Sequence, residues 1–506
     1  MSKGVKRAAD FENLNFICIC EFHLKLRAIS FQIFVALFSL VKGLLSLKLM
    51  TRLGHENYAM LAQFMIVSTF GVQIIVASFD APLVASIVSE KNARSARTSF
   101  LLLLGANFSI LALISVFFSN QISSFFWGDA AYFEYVPYLV LYIGVLSLNH
   151  FFLVNFQGGK NFRAYGAIQF AQQILQLLAI CLGVFTNSVI GLVTFLVVAE
   201  FALWILLIFF NRNKPMFARI SVGEAVNWIV GNFKIAAPLF IVFLLIWVLT
   251  NGARLALVNL GGLSKLAPFA ATFSISILAG IVINPICTIF FPYFSSVGNK
   301  GGGSKDALVA AQLALAFLTT LASIFIILSC GRFLSYLVGG NLYVGDFFVF
   351  FICAAQVAYA QARIATLYLS VNEKPKRGAL YFSIGVIVML AIDLGLAQKY
   401  GANGVAFAYL VGCFVTAFLF FRDAYADREK LKSLSDFKKL IWFFGLGLVV
   451  MLACLVTPID SWGAMVGAFL FFSLAYVVFS YMIFSNEIFL VGIKQKIASF
   501  IGSSRV

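Results

Sequence analysis

Ile190-Gly-Leu-Val-Thr-Phe-Leu-Val-Val-Ala-Glu-Phe-Ala-Leu-Trp-Ile-Leu-Leu-Ile-Phe-Phe210 runs for 21 residues with one charge, Glu200, and then meets Arg212 and Lys214. At 1.5 Å of rise per residue such a helix is about 30 Å long, the thickness of a bilayer's hydrocarbon. The basic pair just beyond it marks an end held on the cytoplasmic side. The rest of the chain repeats this pattern. Crossings are expected at roughly 29–50, 58–79, 99–118, 137–157, 166–186, 190–210, 235–251, 266–292, 307–329, 347–370, 379–397, 404–421, 440–456 and 463–484. The chain has 506 residues, 62% of them hydrophobic and only 11% charged, against about 25% charged in soluble domains. This excludes a sizeable water-soluble domain. The reading is an all-α integral membrane protein of about 14 helices.

Charge follows the crossings. The formal net charge of +16 would suggest nucleic acid in a soluble protein. Here Lys and Arg gather in alternate loops, about 28 on one face and about five on the other. Both termini are expected on the cytoplasmic side, and no nucleic-acid partner is implied. Phe16–Cys20 is too short for the apolar core of a signal peptide. Five of the eight cysteines fall in spans, where they act as small apolar residues, and no disulfide or zinc is expected.

The loops offer little room for chemistry. The segment of about 119–136 is the longest on the side away from the basic loops, and it contains no basic residue. The chain carries neither HExxH nor GxSxG. Gly298-Asn-Lys-Gly-Gly-Gly-Ser-Lys305 looks like a phosphate loop, but Ser-Lys replaces Lys-Ser/Thr and no strand precedes it, so it reads as a flexible linker. No catalytic residue, metal site or cofactor is expected, and the protein is not read as an enzyme.

Two halves match at an offset of about 207–213 residues: Leu178–Gly183 with Leu390–Gly395, Lys160–Gly166 with Lys374–Gly378, and Arg52-Leu-Gly54 with Asn259-Leu-Gly261. Six spans plus six, with a binding site between them, is a common transporter plan. The expected organisation is a cytoplasmic segment 1–28, a first six-helix bundle 29–210 and a cytoplasmic linker 211–234. A second bundle 235–421, a cytoplasmic loop 422–439, two additional helices 440–484 and a tail 485–506 follow.

Charges inside a membrane are costly, about 2.5–3.5 kcal/mol or more at mid-bilayer, and mark cavities or partners. Lys42 shares a helical face with Gln32, Ser39, Gly43 and Ser46. Arg363 stands in a stripe with Gln356, Tyr359, Thr366 and Ser370, and Arg254 in another with Trp247, Thr250 and Asn251. Gln169, Gln172, Gln173 and Gln176 form a dense amide row. Two readings stand for these residues: glue between helices, and the lining of a basic, amide-rich cavity suited to an anionic, hydroxyl-rich ligand. Glu200, Asp393 and His150 are candidates for carrying a coupling ion, or are structural partners of basic neighbours.

Four further stretches carry a resemblance: Arg52-Leu-Gly-His-Glu-Asn-Tyr58, Ala236-Ala-Pro-Leu239, the region from Leu255 through Asn259-Leu-Gly-Gly262 to Phe291-Pro-Tyr-Phe294, and Asn372-Glu-Lys-Pro375. The chain resembles polysaccharide flippases of the Wzx type, in the MOP superfamily that also holds MATE exporters and MurJ-type lipid II flippases. The resemblance implies two six-helix bundles working by alternating access on an undecaprenyl-diphosphate-linked oligosaccharide (an O-antigen, capsule or exopolysaccharide unit) in the bacterial inner membrane. It implies Lys42, Arg254 and Arg363 as contacts for diphosphate or acidic sugars, with Gln169, Gln172, Gln173, Gln176 and Gln356 beside them. Arg52 is a gating candidate at the outer mouth, or a snorkelling anchor. Membrane lipids, a glycan polymerase and a chain-length regulator are the implied partners, and the driving ion, H+ or Na+, is left open. Many relatives place an acidic residue before the basic one at the end of span 7, whereas Gly252-Ala253 precede Arg254 here. The alternatives are a lipid II flippase, a MATE-type cation antiporter and, from another class, a membrane glycan polymerase or ligase.

Overall fold

A computed structural model describes residues 34–484 except 36, 90–91, 160, 212–216, 285, 288–302, 339–340, 372–374, 426–433 and 458–460. The expectations for 1–28, Gln32, Phe291–Phe294, 298–302, Asn372–Lys374 and 485–506 lie outside the described residues. Among the described residues every regular element is helical. These are α1 (37–50), α2 (His55–Val76), α3 (Asp80–Val88), α4 (Ala93–Phe117), α5 (Ser119–Trp127), α6 (Val136–Gly158) and α7 (Phe162–Phe185). They continue with α8 (Val189–Asn211), α9 (Val222–Ser276), α10 (Gly303–Val338), α11 (Asp346–Val371), α12 (Pro375–Tyr425), α13 (Leu434–Leu455) and α14 (Trp462–Phe484).

Eleven described helices are long and apolar enough to cross a membrane. Gly262 (φ +70°) divides α9 into two of them, and Gly401 (φ +55°) doubles α12 back on itself. Gly385 and Gly412, either side of that turn, pack so closely that a Cβ on Gly412 would fall 3.0 Å from the Gly385 carbonyl. Counting the two arms of α12 separately and adding α1 and the shorter apolar stretch Ile441–Val456, the described residues accommodate about fourteen crossings. The protein is a multi-pass membrane protein. Its outward residues fit that solvent: Val449, Leu470, Phe471 and Leu474 are 61–66% exposed, a face that water would not tolerate and lipid does.

The Cα framework divides into two compact units. The first comprises residues 1–46, 74–113 and 138–236, and the second 47–73, 114–137 and 237–506. In the first unit α7 packs on α8, and a Cβ on Gly183 would fall 2.4 Å from Leu192 Cβ, so only glycine permits this approach. In the second unit α11 packs on α10 and α12. The additional pair α13–α14 docks on α10 through rings: Phe317 stacks on Tyr476 at 5.7 Å, and Phe325 meets Phe469 edge-on at 5.4 Å.

Three local structures differ from the sequence reading, each for a visible reason. The linker 211–234 is helical from Val222, because Ser221 and Glu224 form a reciprocal capping box, each side chain taking the other's backbone N–H at 3.2 Å. The segment 119–136 is not a plain loop. It holds α5, closed by Gly128 (φ +76°), and a 3-10 turn capped by Asp129, whose Oδ1 accepts from Ala131 N at 2.9 Å. The second crossing breaks at Ala77 (φ +48°) and Ser78 (φ +57°), where neither glycine nor proline stands. Each left-handed residue of this kind costs about 1–2 kcal/mol. Asn107 Nδ2 donates to the Ile75 carbonyl that the break orphans, at 2.8 Å, which matters where no water can replace the lost bond.

The glycine of the repeat matched as Gly261 is displaced by one position: the residues with positive φ are Gly54 and Gly262, 208 residues apart. A second pair, Asn187 (φ +48°) and Gly401 (φ +55°), closes the α7–α8 and α12 turns.

Candidate transport site

The first unit holds a buried polar network. Glu200, on α8, is 1% exposed and receives amides from two neighbouring helices. Asn149 of α6 donates to its Oε2 at 2.8 Å, Gln172 of α7 to both oxygens at 3.0 and 3.1 Å, and Gln176 to Oε1 at 2.5 Å. Lys42 of α1 donates to Gln176 Oε1. The carboxylate and the ammonium therefore share one amide, and the network is neutral as a whole. This arrangement lets two charges lie within hydrocarbon without a free ion. Tyr142, fully buried, accepts from Gln176 Nε2 at 3.2 Å.

The amide row thus divides. Gln172 and Gln176 are committed to Glu200, Gln169 donates to the Tyr165 hydroxyl at 3.2 Å, and the buried Gln173 Oε1 has no hydrogen-bond partner. His150 is not in this network. Its Nε2 lies 3.8 Å from Asp80 Oδ2, an ion-pair distance too long for a hydrogen bond. Asp80 opens α3 just after the break in the second crossing, and sequence reading did not single it out. Asp80-Ala-Pro82, an acid and a proline in a first helical turn, was the available signal.

The second unit is arranged differently. Arg254, 4% exposed at the far part of the first α9 arm, lays its guanidinium over Phe273 of the second arm, with Cζ 4.8 Å from the ring centroid. Its Nε has no hydrogen-bond partner, and among the described residues it makes no ion pair. The Phe273 ring lies 6.2 Å from that of Tyr409, whose hydroxyl accepts from Gln356 Nε2 at 2.9 Å. Two candidates are therefore connected through two rings, as Arg254, Phe273, Tyr409 and Gln356, across α9, α12 and α11. The sequence showed Arg254 and Gln356 but gave no sign of the two rings between them.

Arg363 is two helical turns from Gln356 on α11, half-buried, with Tyr359 and Cys287 in its field. Asp393 on α12 is 3% exposed, and neither carboxylate oxygen has a hydrogen-bond partner. Trp247, stacked on Phe70 at 4.1 Å, likewise keeps a buried Nε1–H unpaired. Arg52 is exposed at the 3-10 turn Thr51–Leu53, and Lys48 sits 5.2 Å over the Tyr336 ring. Among the described residues no group of His, Cys, Asp and Glu has the makings of a metal site.

Comparison with known proteins gives a structural answer only. No family model matches the sequence, and no curated protein matches it. Among solved structures, the lipid II flippase MurJ in its inward closed conformation superposes with TM-score 0.65 at 12% identity, over 90% of this chain and 99% of that one. The chain has the fold of the MOP-superfamily transporters. A Pyrococcus furiosus member described as having a binding pocket of reverse polarity superposes with TM-score 0.59 at 14% identity, over 80% of this chain and 96% of that one. A variant of the Vibrio cholerae MATE transporter VcmN gives 0.54 at 14% identity, over 80% and 94%. These neighbours are transporters and flippases, not enzymes.

Proposed function

We propose that this protein is a flippase, carrying a polyprenyl-diphosphate-linked oligosaccharide from the inner to the outer leaflet of a bacterial cytoplasmic membrane by alternating access. One observation carries the reading: Arg254 is a buried cation whose Nε lacks a hydrogen bond and which has no carboxylate partner among the described residues. Such a group is costly in hydrocarbon and is offset when an anion arrives. A diphosphate offers that anion, and the guanidinium fork matches its oxygens. Arg363, two turns along α11 from Gln356 and half-buried, adds a second basic residue on the side of the helix that leads toward the basic loops. Arg52 serves at the opposite mouth. The likeness to MurJ over nearly all of that chain supports a lipid-linked cargo.

A cation antiporter is the second reading, and Asp393 favours it, since an unpaired buried carboxylate is what a cation would seek. In the flippase reading Asp393, with Glu200 and His150 as further candidates, carries the coupling ion.

The test is accumulation of lipid-linked glycan in a deletion strain complemented with the native gene, with Arg254→Ala or with Arg363→Ala. The expected result is glycan trapped on the cytoplasmic leaflet after deletion, released by the native protein and not by well-expressed variants. Intact surface glycan together with new sensitivity to cationic drugs would overturn the flippase reading in favour of the antiporter.

A further inference from the structure

α5 is amphipathic in an unusual sense. One face is fixed to the second unit: Ser123 Oγ donates to the Asp129 carbonyl at 2.6 Å, and the buried Trp127 Nε1 donates to the Met60 carbonyl at 3.3 Å. The opposite face carries Asn120, Gln121, Ser124 and Phe125 and is open. With Asn259, from the end of the first α9 arm, these residues line a shallow depression of about 460 Å³.

The depression is built, not incidental. Its two walls lie 134 residues apart in sequence and are tied by Asn259 Nδ2, which donates to the Phe125 carbonyl at 3.3 Å and to Leu255 O at 2.8 Å. Below them Gly128 adopts φ +76° against Val258, where a Cβ would fall 2.8 Å from the Val258 carbonyl. No other residue type allows that approach. The Phe125 ring is 54% exposed yet held edge-on to Phe126 at 5.0 Å.

The lining selects a ligand class. Three amides and a hydroxyl surround one aromatic face, and no charge is present. A phosphate would ask for basic groups, and a cation for acidic ones. An acyl chain would leave four polar side chains unpaired. Amides present donors and acceptors side by side, as neighbouring hydroxyls of a sugar do, and an open ring face receives a sugar's C–H face. Asn259 Nδ2 is committed, so this residue offers its Oδ1 as an acceptor. We infer that the depression formed by Asn120, Gln121, Ser124, Phe125 and Asn259 is a binding site for an uncharged, hydroxylated stretch of glycan. It lies in the segment without basic residues, the side on which a flipped glycan emerges; that placement alone rests on the flippase reading.

The test is saturation-transfer NMR on the full chain in lipid nanodiscs, with maltohexaose and chitohexaose as probes. Saturation of ring protons on at least one probe is expected. Gln121→Ala and Phe125→Ala should each weaken it about tenfold, equivalent to about 1.4 kcal/mol. Gln121 is exposed, so its variant should keep the native thermal midpoint and separates loss of the site from loss of the fold. No saturation with either probe, or equal saturation in both variants, overturns the inference. Neither result touches transport, so the flippase reading stands or falls separately on the leaflet assay.

Discussion

The two units bury charge in opposite ways. In the first, Glu200 is caged by Asn149, Gln172 and Gln176, and Lys42 closes on the same Gln176. In the second, Arg254 rests on a ring with its Nε unpaired, and Asp393 keeps both oxygens unpaired. A buried charge alone does not show whether it is available to cargo. Its partners decide: Glu200 and Lys42 are already answered by the protein, whereas Arg254 Nε and the Asp393 carboxylate lack hydrogen-bond partners.

Removing a caged charge should therefore damage the fold most. Glu200→Ala leaves three amides without their acceptor and Lys42 without its nearby counter-charge, and should lower stability by about 3 kcal/mol. In a Lys42→Met background the same change should cost clearly less, because the ammonium no longer needs a counter-charge. Thermal midpoints of the four proteins in detergent measure the coupling, and additive effects would break the comparison. Arg254→Met should behave oppositely. Replacing a buried cation that has no carboxylate partner among the described residues by an apolar side chain of similar length should leave the midpoint unchanged or raised. Flipping in the leaflet assay should nevertheless fall about 30-fold, roughly 2 kcal/mol of barrier. A normal flipping rate would remove Arg254 from the cargo path.

The crossings were legible because a 20-residue apolar run has one economical structure in lipid, and stretches such as Ile190–Phe210 display it directly. Individual charges were legible for the same reason: Lys42, Glu200, Arg254 and Arg363 stand out against an apolar ground. Their partners were not. Lys42 meets Gln176 across 134 residues and Gln172 meets Glu200 across 28, distances over which no local pattern operates. The amide row showed that something polar was there, and only packing revealed that it holds a carboxylate. The break at Ala77–Ser78 was hidden because neither glycine nor proline marks it and Ala77 favours continuing a helix. The capping box at Ser221–Glu224 was readable, and a composition-led division into linker and span passed over it.

Asp393 sharpens the comparison at a smaller scale. With no hydrogen-bond partner to lose, Asp393→Asn should stabilise the protein by about 1 kcal/mol, because a neutral amide costs less to bury unpaired than a carboxylate. In vesicles, uptake should lose its dependence on an imposed H+ or Na+ gradient. A fall in the thermal midpoint would mean that the carboxylate is answered after all, and the contrast with Glu200 would disappear.

The smallest expected effects test whether the two halves share a turn. Asn187 and Gly401 close equivalent hairpins with φ +48° and +55°, one with a side chain and one without. Asparagine tolerates the left-handed region better than most residues yet is still strained there, whereas alanine has no side-chain hydrogen bond to offset the clash. Asn187→Gly should therefore raise stability by about 0.5 kcal/mol, and Gly401→Ala should lower it by about 1 kcal/mol. Gly395 is the control on the same helix as Gly401: a Cβ there meets nothing within 4 Å. Its change to alanine removes backbone freedom from the unfolded chain without strain, and should stabilise by a comparable amount, about 0.5 kcal/mol. If Gly401→Ala and Gly395→Ala shift the thermal midpoint in the same direction, the turn at Gly401 does not need its left-handed backbone. The conformational match between the two hairpins would then be a coincidence of two turns rather than a property of the repeat.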